Sequence, residues 1–583
     1  MATVQTRKRS LGDILVESGI ITPLELDEAL QRQRLTGDLL GRVLVKMELC
    51  EEQDILEALG VQQGMERVDV LKLKIADDVL RLIPPDVARF YNIIPVRKRE
   101  DDALMVAMAD PLNIALIDDL QQIAGCRVVG AVSNLADVTE AIKKNYTFEQ
   151  ESVHDTLEAL LDRVGDEALS MEELGQQKLI GDVDNLVELA QEPEVIKIVN
   201  LVLLEALQRK ASDVHFEVYE EDFRIRLRVD GVLHETVSPP KALSIALVSR
   251  VKIMSNMDIS ERRLPQDSRI ELKVGQSDVD IRVATLPTLF GECVVMRVLD
   301  RTAMTVALDV LGVSDRVMKS IDTIIHKPSG LFLVTGPTGS GKTTTLYACL
   351  MELNDIKEKI ITCEDPVELQ VENLIQVQIR EEIGLTFANS LRAILRQDPD
   401  IVMVGEVRDR ETAAICIEAS LTGHFGLSSL HTNSAVETVT RLLDMDVEPF
   451  LITASLEGVC AQRLLRRVCR TCATSYKPDQ DLMDELRLPD TWRKNPNLKF
   501  KRSKGCPACD YTGYKGRVGI VELLVIDDSI REMILAREMA HVIRRHARKT
   551  QGMLLLREEA LIKAAQGVTS AEEVLEHTEH FVD

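Results

Sequence analysis

Residues 331–345 read Leu331-Phe332-Leu333-Val334-Thr335-Gly336-Pro337-Thr338-Gly339-Ser340-Gly341-Lys342-Thr343-Thr344-Thr345. An apolar strand runs into Gly336-x-x-x-x-Gly341-Lys342-Thr343, the P-loop pattern. Glycines let such a loop curl until its backbone N–H groups face inward, and the following helix adds its positive dipole end. Gly336, Pro337, Thr338, Gly339, Ser340, Gly341, Lys342, Thr343 and Thr344 are therefore the expected nucleotide-binding residues. Lys342 is expected on the β- and γ-phosphates and the Thr343 hydroxyl on Mg²⁺.

Acidic residues follow at strand ends. Ile401-Val402-Met403-Val404-Gly405-Glu406 is a buried-strand run closed by a carboxylate. In a P-loop fold such an acid reaches the Mg²⁺ and the attacking water. Gly405 takes the usual aspartate position, so Glu406 alone holds that place. Ile361-Thr362-Cys363-Glu364-Asp365-Pro366-Val367-Glu368 ends a second apolar strand, and Glu364 is the candidate base. Spacing alone leaves catalysis and helix capping open for this cluster. Thr422-Gly423-His424 and His431-Thr432-Asn433 place two histidines downstream. They fit a report on the γ-phosphate or plain structural hydrogen bonding.

Cys469-x-x-Cys472 and Cys506-x-x-Cys509, 33 residues apart, have the spacing of two zinc knuckles. With all four positions filled, the Zn²⁺ is expected to be structural. Arg224, Arg226, Arg228, Arg269, Arg282 and Arg297 stud the region upstream of the P-loop. Alternate arginines on one strand share a face. They read as a solvated face or as charge that reaches a triphosphate, in the same chain or a neighbour.

The 583 residues allow several domains, and an ordinary apolar fraction with 3% aromatics implies aliphatic cores. A net charge of −25 disfavours broad binding to a nucleic-acid backbone. No apolar run is long enough to span a bilayer, and no signal peptide is expected. Eleven cysteines in such a length do not suggest a disulfide scaffold.

The chain divides into five expected parts. Residues 1–66 form a helical domain with a tandem repeat at an offset of 29, in which Leu11-Gly12 returns as Leu40-Gly41. Residues 67–146 form a small α/β domain with strands at Leu104–Met108 and Cys126–Gly130 and helices at Ile114–Ile123 and Leu135–Lys144. Residues 147–186 are an acidic linker. Residues 187–305 form a middle α/β domain. Residues 306–583 form the P-loop domain, a mainly parallel sheet with helices on both faces, carrying the zinc insert at about 466–515.

The ordered set of Lys342 P-loop, Glu364-Asp365-Pro366-Val367-Glu368, Gly405-Glu406-Val407-Arg408-Asp409, Thr422-Gly423-His424 and His431-Thr432-Asn433 resembles the type II/type IV secretion ATPase superfamily. Further matches are Ala211-Ser212-Asp213-Val214-His215, Arg228-Val229-Asp230-Gly231 and Arg262-Arg263-Leu264-Pro265-Gln266-Asp267. The resemblance implies a cytoplasmic homohexamer with a RecA-like core and a PAS-like middle domain, hydrolysing ATP with Mg²⁺. Glu364, Glu406, His424 and His431 match the catalytic boxes, and Arg228, Arg269, Arg282 or Arg297 would supply the arginine contribution. The tetracysteine insert points to the assembly branch, with type II secretion first and type IV pilus extension as the alternative. Two other readings remain, a RecA-like nucleic-acid motor and a nucleotide-gated binding module. The expected partners are inner-membrane platform and anchoring proteins that hold the chain peripherally at the membrane, with no nucleic acid. The terminal repeat resembles a domain that binds cyclic di-GMP. Its pattern places Arg before each Leu-Gly pair, where Ser10 and Leu39 stand here. Cyclic di-GMP is therefore not expected, and docking to a platform protein is.

Overall fold

The computed structural model describes residues 10–36, 40–47, 49–111, 114–146, 157, 161, 183–274, 277–300, 308 and 312–579. Leu39 and most of the expected linker lie outside them. The fold is mixed α/β in two compact units, Met1–Ala303 and Met304–Asp583. Among the described residues no helix is long and apolar enough to cross a membrane.

The first unit opens with helices Leu11–Glu17, Pro23–Thr36, Leu40–Lys46 and Glu52–Gln62. The repeat has a packing counterpart. A Cβ on Gly12 would lie 2.6 Å from Leu26 Cδ1, and one on Gly41 2.9 Å from Ile55 Cγ2. Leu26 and Ile55 are themselves one repeat apart, so each Leu-Gly pair lets the two helices of its unit approach at backbone distance. Ser10 caps the first helix, accepting from the Asp13 N–H at 3.3 Å.

Next comes a four-stranded sheet of β1 (Glu66–Arg67), β2 (Ile93–Lys98), β3 (Leu104–Met108) and β4 (Val128–Val132), in the order β1-β4-β3-β2. Helices Ile114–Ala124 and Leu135–Asn145 accompany it. The sequence reading placed no strand at Ile93–Lys98, which contains Pro95. As the edge strand β2 has a free side, where a missing N–H costs nothing.

The last part of this unit is a six-stranded antiparallel sheet. Its strands are β5 (Asp213–Val218), β6 (Phe223–Val229), β7 (Val232–Val237), β8 (Gln266–Val274), β9 (Ser277–Thr288) and β10 (Gly291–Asp300), in the order β7-β6-β5-β10-β9-β8. Phe223, Ile225 and Leu227 turn into a core shared with helices Pro193–Gln208 and Ser244–Met254. The alternation leaves Arg224, Arg226 and Arg228 on the other face.

The second unit is built on β11 (Gly330–Thr335), β12 (Ile360–Glu364), β13 (Leu374–Gln378), β14 (Ile401–Val404), β15 (Phe425–Leu430) and β16 (Leu456–Val468). A two-stranded sheet, β17 (Ala473–Tyr476) with β18 (Phe500–Ser503), precedes β19 (Tyr514–Val525). The main sheet runs β13-β12-β14-β15-β11-β16-β19, parallel except for the β16–β19 pair. Two separate apolar cores lie against it, and its central strands β11, β12, β14 and β15 are continuous buried runs, as a sheet covered on both faces requires.

Glu522 on β19 is 0% exposed, and its Oε1 accepts from the Ala435 N–H at 3.0 Å. Burial pushes its carboxyl up to about 7 from an ordinary 4.5, against the pull of that N–H and of Arg544. The folded chain thus holds a proton that the unfolded chain releases. Stability should fall as pH rises from about 4.5 to 7, by about 3 kcal/mol at most. Glu522→Gln is expected to flatten that slope in thermal melts taken across the window; an unchanged slope would remove Glu522 as its source.

Candidate active site

The site gathers at the carboxyl edge of β11, β12, β14 and β15. The buried strand β11 ends at Thr335, and the loop then turns through Gly336, Gly339 and Gly341, all at positive φ. Helix Lys342–Leu353 starts directly behind it, which aims its N-terminal N–H groups at the loop. Pro337, Thr338, Gly339, Thr343 and Thr344 are exposed, whereas Ser340 is buried. Lys342 Nζ donates to Gly336 O at 2.9 Å and Pro337 O at 3.2 Å. Burial lowers the Lys342 ammonium from its ordinary value. The Glu406 carboxylate opposes that shift and the Arg463 guanidinium adds to it. A cation held only on neutral oxygens keeps its charge available to an anion.

Glu406 stands just past β14, its carboxylate facing two basic groups. Arg408 pairs with Glu406 Oε1, and His431 Nε2 lies 3.2 Å from Glu406 Oε2. Arg408 also reaches Asp365 Oδ2 at 3.5 Å. Arg408 thus bridges Glu406 and Asp365, while His431 meets Glu406 directly. His431 follows Leu430 at the end of β15, and the Thr432 N–H donates to Thr335 Oγ1 at 3.0 Å, tying this segment to the start of the phosphate loop.

Glu364 ends β12 at the same edge but turns inward. It is 3% exposed and receives Thr362 Oγ1 at 2.6 Å, Tyr347 OH at 2.5 Å and Gln376 Nε2 at 3.2 Å. A carboxylate so enclosed is satisfied within the protein. In this conformation Asp365, not Glu364, reaches the Glu406 cluster.

His424 lies away from this cluster in the structure. It precedes β15, whose Phe425 pairs with Gly330 at the start of β11. A six-residue parallel strand separates it from His431, about 20 Å. Its Nδ1 lies 3.0 Å from Ala419 O and 3.1 Å from Thr422 Oγ1, at the C-terminus of helix Arg410–Leu421. His424 is thus a helix-end partner on the opposite sheet edge, and one histidine, His431, is at the phosphate-loop edge.

In the first unit the four candidate arginines fall on one row. Arg269 pairs with Arg282, Arg282 with Arg297, Arg297 with Asp213, and Asp213 with Arg228. Residues directly opposite across an antiparallel ladder share a face. Asp213 is the one acid in that row, taking Arg297 Nε at 3.1 Å and Arg228 Nε at 3.5 Å. Like charges placed opposite one another cost stability, and this row concentrates positive charge on one face of the sheet. Arg226, by contrast, is spent on Glu217 in a two-bond fork, and Arg224 pairs with Asp222.

The four cysteine sulfurs lie within 4.8 Å of one another. Cys469–Cys506 is 3.9 Å, and Cys472–Cys509 and Cys506–Cys509 are each 3.8 Å. Zn–S bonds of about 2.3 Å in a tetrahedron place sulfurs about 3.8 Å apart. A disulfide needs about 2.05 Å. The donor set fits Zn²⁺.

A family model described as type II/IV secretion system protein matches residues 188–576. The chain belongs to this family. A second model, the MshEN domain, matches residues 63–152, beyond the tandem repeat. The chain is 41% identical over 571 residues to the type IV pilus assembly ATPase PilB of Myxococcus xanthus, spanning 97% of this chain and 98% of that protein. It is 48% identical over 395 residues to the type II secretion system ATPase E of Vibrio cholerae, spanning 68% and 77%. It is 40% identical over 574 residues to the type II secretion system protein E of Xanthomonas campestris pv. campestris, spanning 97% and 98%. As a type II/IV secretion system protein, the chain is an ATP-hydrolysing enzyme that uses its nucleotide with Mg²⁺.

Two residues that shape the site escaped the sequence reading. Tyr347, five residues beyond Lys342, is a hydroxyl donor to Glu364. Arg463 on β16 donates to Asn433 Oδ1 at 2.9 Å, directly after His431-Thr432. Tyr347 sits where a buried helix face is expected, and the Arg463 contact spans 30 residues, so neither carries a local signal.

Proposed function

We propose that this chain is the cytoplasmic assembly motor of a (pseudo)pilus machine, hydrolysing ATP to drive type II protein secretion, with type IV pilus extension as the alternative. The observation that carries the reading is the convergence of Lys342, Glu406 and His431 at one sheet edge, in a chain of this family. In this reading the RecA-like second unit binds ATP through Gly336 to Thr344. Thr343 holds Mg²⁺, and Glu406 orders the attacking water. Glu364 joins it once released from Tyr347. His431 reports the γ-phosphate to Asn433 and Arg463. The arginine row of the PAS-like sheet supplies positive charge to the triphosphate of the same chain or of a neighbour in a homohexamer. Cys469, Cys472, Cys506 and Cys509 hold a structural Zn²⁺. The helical repeat and the MshEN domain dock on platform and anchoring proteins, so the motor works peripherally at the inner membrane.

Arg282 tests the row, because it stands opposite two other arginines. Arg282→Gln should lower kcat/KM for ATP by about 10²-fold or more while the chain stays folded. Loss of stability with normal turnover would assign the row to structure. The motor reading itself predicts that the platform membrane protein stimulates phosphate release. Stimulation by DNA instead, weakening with salt, would replace it with a nucleic-acid motor.

A further inference from the structure

Gln462 lies on β16, more than a hundred residues beyond the phosphate loop, in the run Val459-Cys460-Ala461-Gln462-Arg463-Leu464. β16 runs parallel to β11, with Ala461 opposite Thr335, the last residue of that strand. Gln462 therefore begins where β11 ends, directly beneath the loop. Its side chain is 1% exposed, and both ends of its amide are used. Nε2 donates to the Ser340 carbonyl at 2.8 Å, and Oε1 accepts from Thr345 Oγ1 at 2.7 Å. A backbone carbonyl can only accept, so these partners fix which way the amide faces.

We propose that Gln462 is a positioning residue that sets the shape of the phosphate loop. The proposal rests on the P-loop reading of residues 336–344. In a trans peptide the C=O and the next N–H point in opposite directions. Anchoring the Ser340 carbonyl on Gln462 turns the Gly341 N–H away from the sheet and into the loop, toward a bound phosphate. The Thr345 hydroxyl, one turn into the helix, holds the amide in that orientation.

The two fixed glycines of the motif close on the same residue. A Cβ on Gly341 would lie 2.8 Å from Gln462 Nε2, and one on Gly336 2.5 Å from the Gln462 backbone oxygen. Gly336 and Gly341 are also at φ +149° and +88°. Both backbone shape and lack of a side chain are thus matched to Gln462. The Gln462 amide bonds only Ser340 and Thr345, and none of Glu364, Glu406 or His431, so the effect is assigned to binding.

The test uses the full-length chain, with fluorescent ATP and ADP analogues titrated in the presence of Mg²⁺ and steady-state phosphate release measured alongside. Gln462→Met keeps the volume and removes both hydrogen bonds. It is expected to raise Kd for both nucleotides and KM for ATP by tenfold or more, while kcat at saturation falls less than threefold. Thr345→Val removes only the orienting bond. It is expected to raise Kd about threefold to fivefold, which keeps the proposal open to test if Gln462→Met does not fold. A folded Gln462→Met chain with Kd within twofold of the parent would overturn the proposal. So would a loss confined to kcat, or an unchanged Kd in Thr345→Val. Lys342→Ala is the control. If that variant binds nucleotide like the parent, the P-loop reading fails, and not the role of Gln462 alone.

Discussion

Lys342→Ala should abolish ATP turnover, with phosphate release falling at least about 10³-fold. The physical reason is charge placed where no other group can supply it. Lys342 opens the helix behind the loop, and its ammonium is held by the Gly336 and Pro337 carbonyls. When phosphate oxygens enter the loop, the ammonium exchanges neutral acceptors for charged ones, and such hydrogen bonds are about twice as strong. Removing one preorganised donor from an active site costs about 10²–10³-fold. Here the loss is also a full positive charge on the leaving and transferred phosphates. Arg463 does not replace it, because its guanidinium is engaged with Asn433. Phosphate release by the purified variant, with Mg²⁺ and the membrane partner present, decides the matter. Hydrolysis at the parent rate would dismiss the whole site assignment.

Cys506→Ser should release the metal and loosen the lobe that it closes. The cluster joins the end of β16 to the start of β19, so one ion ties two long strands and the small β17–β18 sheet together. A two-stranded sheet alone is marginal in water. The apolar residues Leu486, Leu488, Leu498 and Phe500 share a core with the C-terminal helices, so the lobe should loosen rather than unfold the whole unit. Apparent zinc binding in small structural sites is about 10–16 kcal/mol, and losing one of four ligands removes much of it. Metal analysis should find about one zinc per parent chain and almost none in the variant. Protease cleavage should appear between Cys469 and Gly513. A variant that kept its zinc and its protease resistance would show that the sulfurs are not ligands.

Elements with a strong local signal were legible in the sequence. The strand at Leu104–Met108, the helices at Ile114–Ala124 and Leu135–Asn145 and the strand–loop–helix at 330–353 all declare themselves by apolar run or period. The edge strand Ile93–Lys98 did not, because Pro95 argues against a strand unless one side is known to be free. The two histidines show a subtler limit. His424 and His431 are seven positions apart in one motif, yet a parallel strand carries them to opposite edges of the sheet. Glu364 shows another: its place at a strand end is readable, but the inward turn of its carboxylate depends on Tyr347, Thr362 and Gln376.

The order of residues by itself determined the phosphate loop, the acid at the end of β14 and the paired cysteines. Each is a short pattern whose chemistry depends on neighbours in the chain. Only the tertiary structure decided that four arginines from four strands share one row, that Gln462 lies beneath the loop, and that His424 is remote. Those facts depend on which strands pair and in what register. Pairing is set by the burial of whole faces, and no local spacing encodes it.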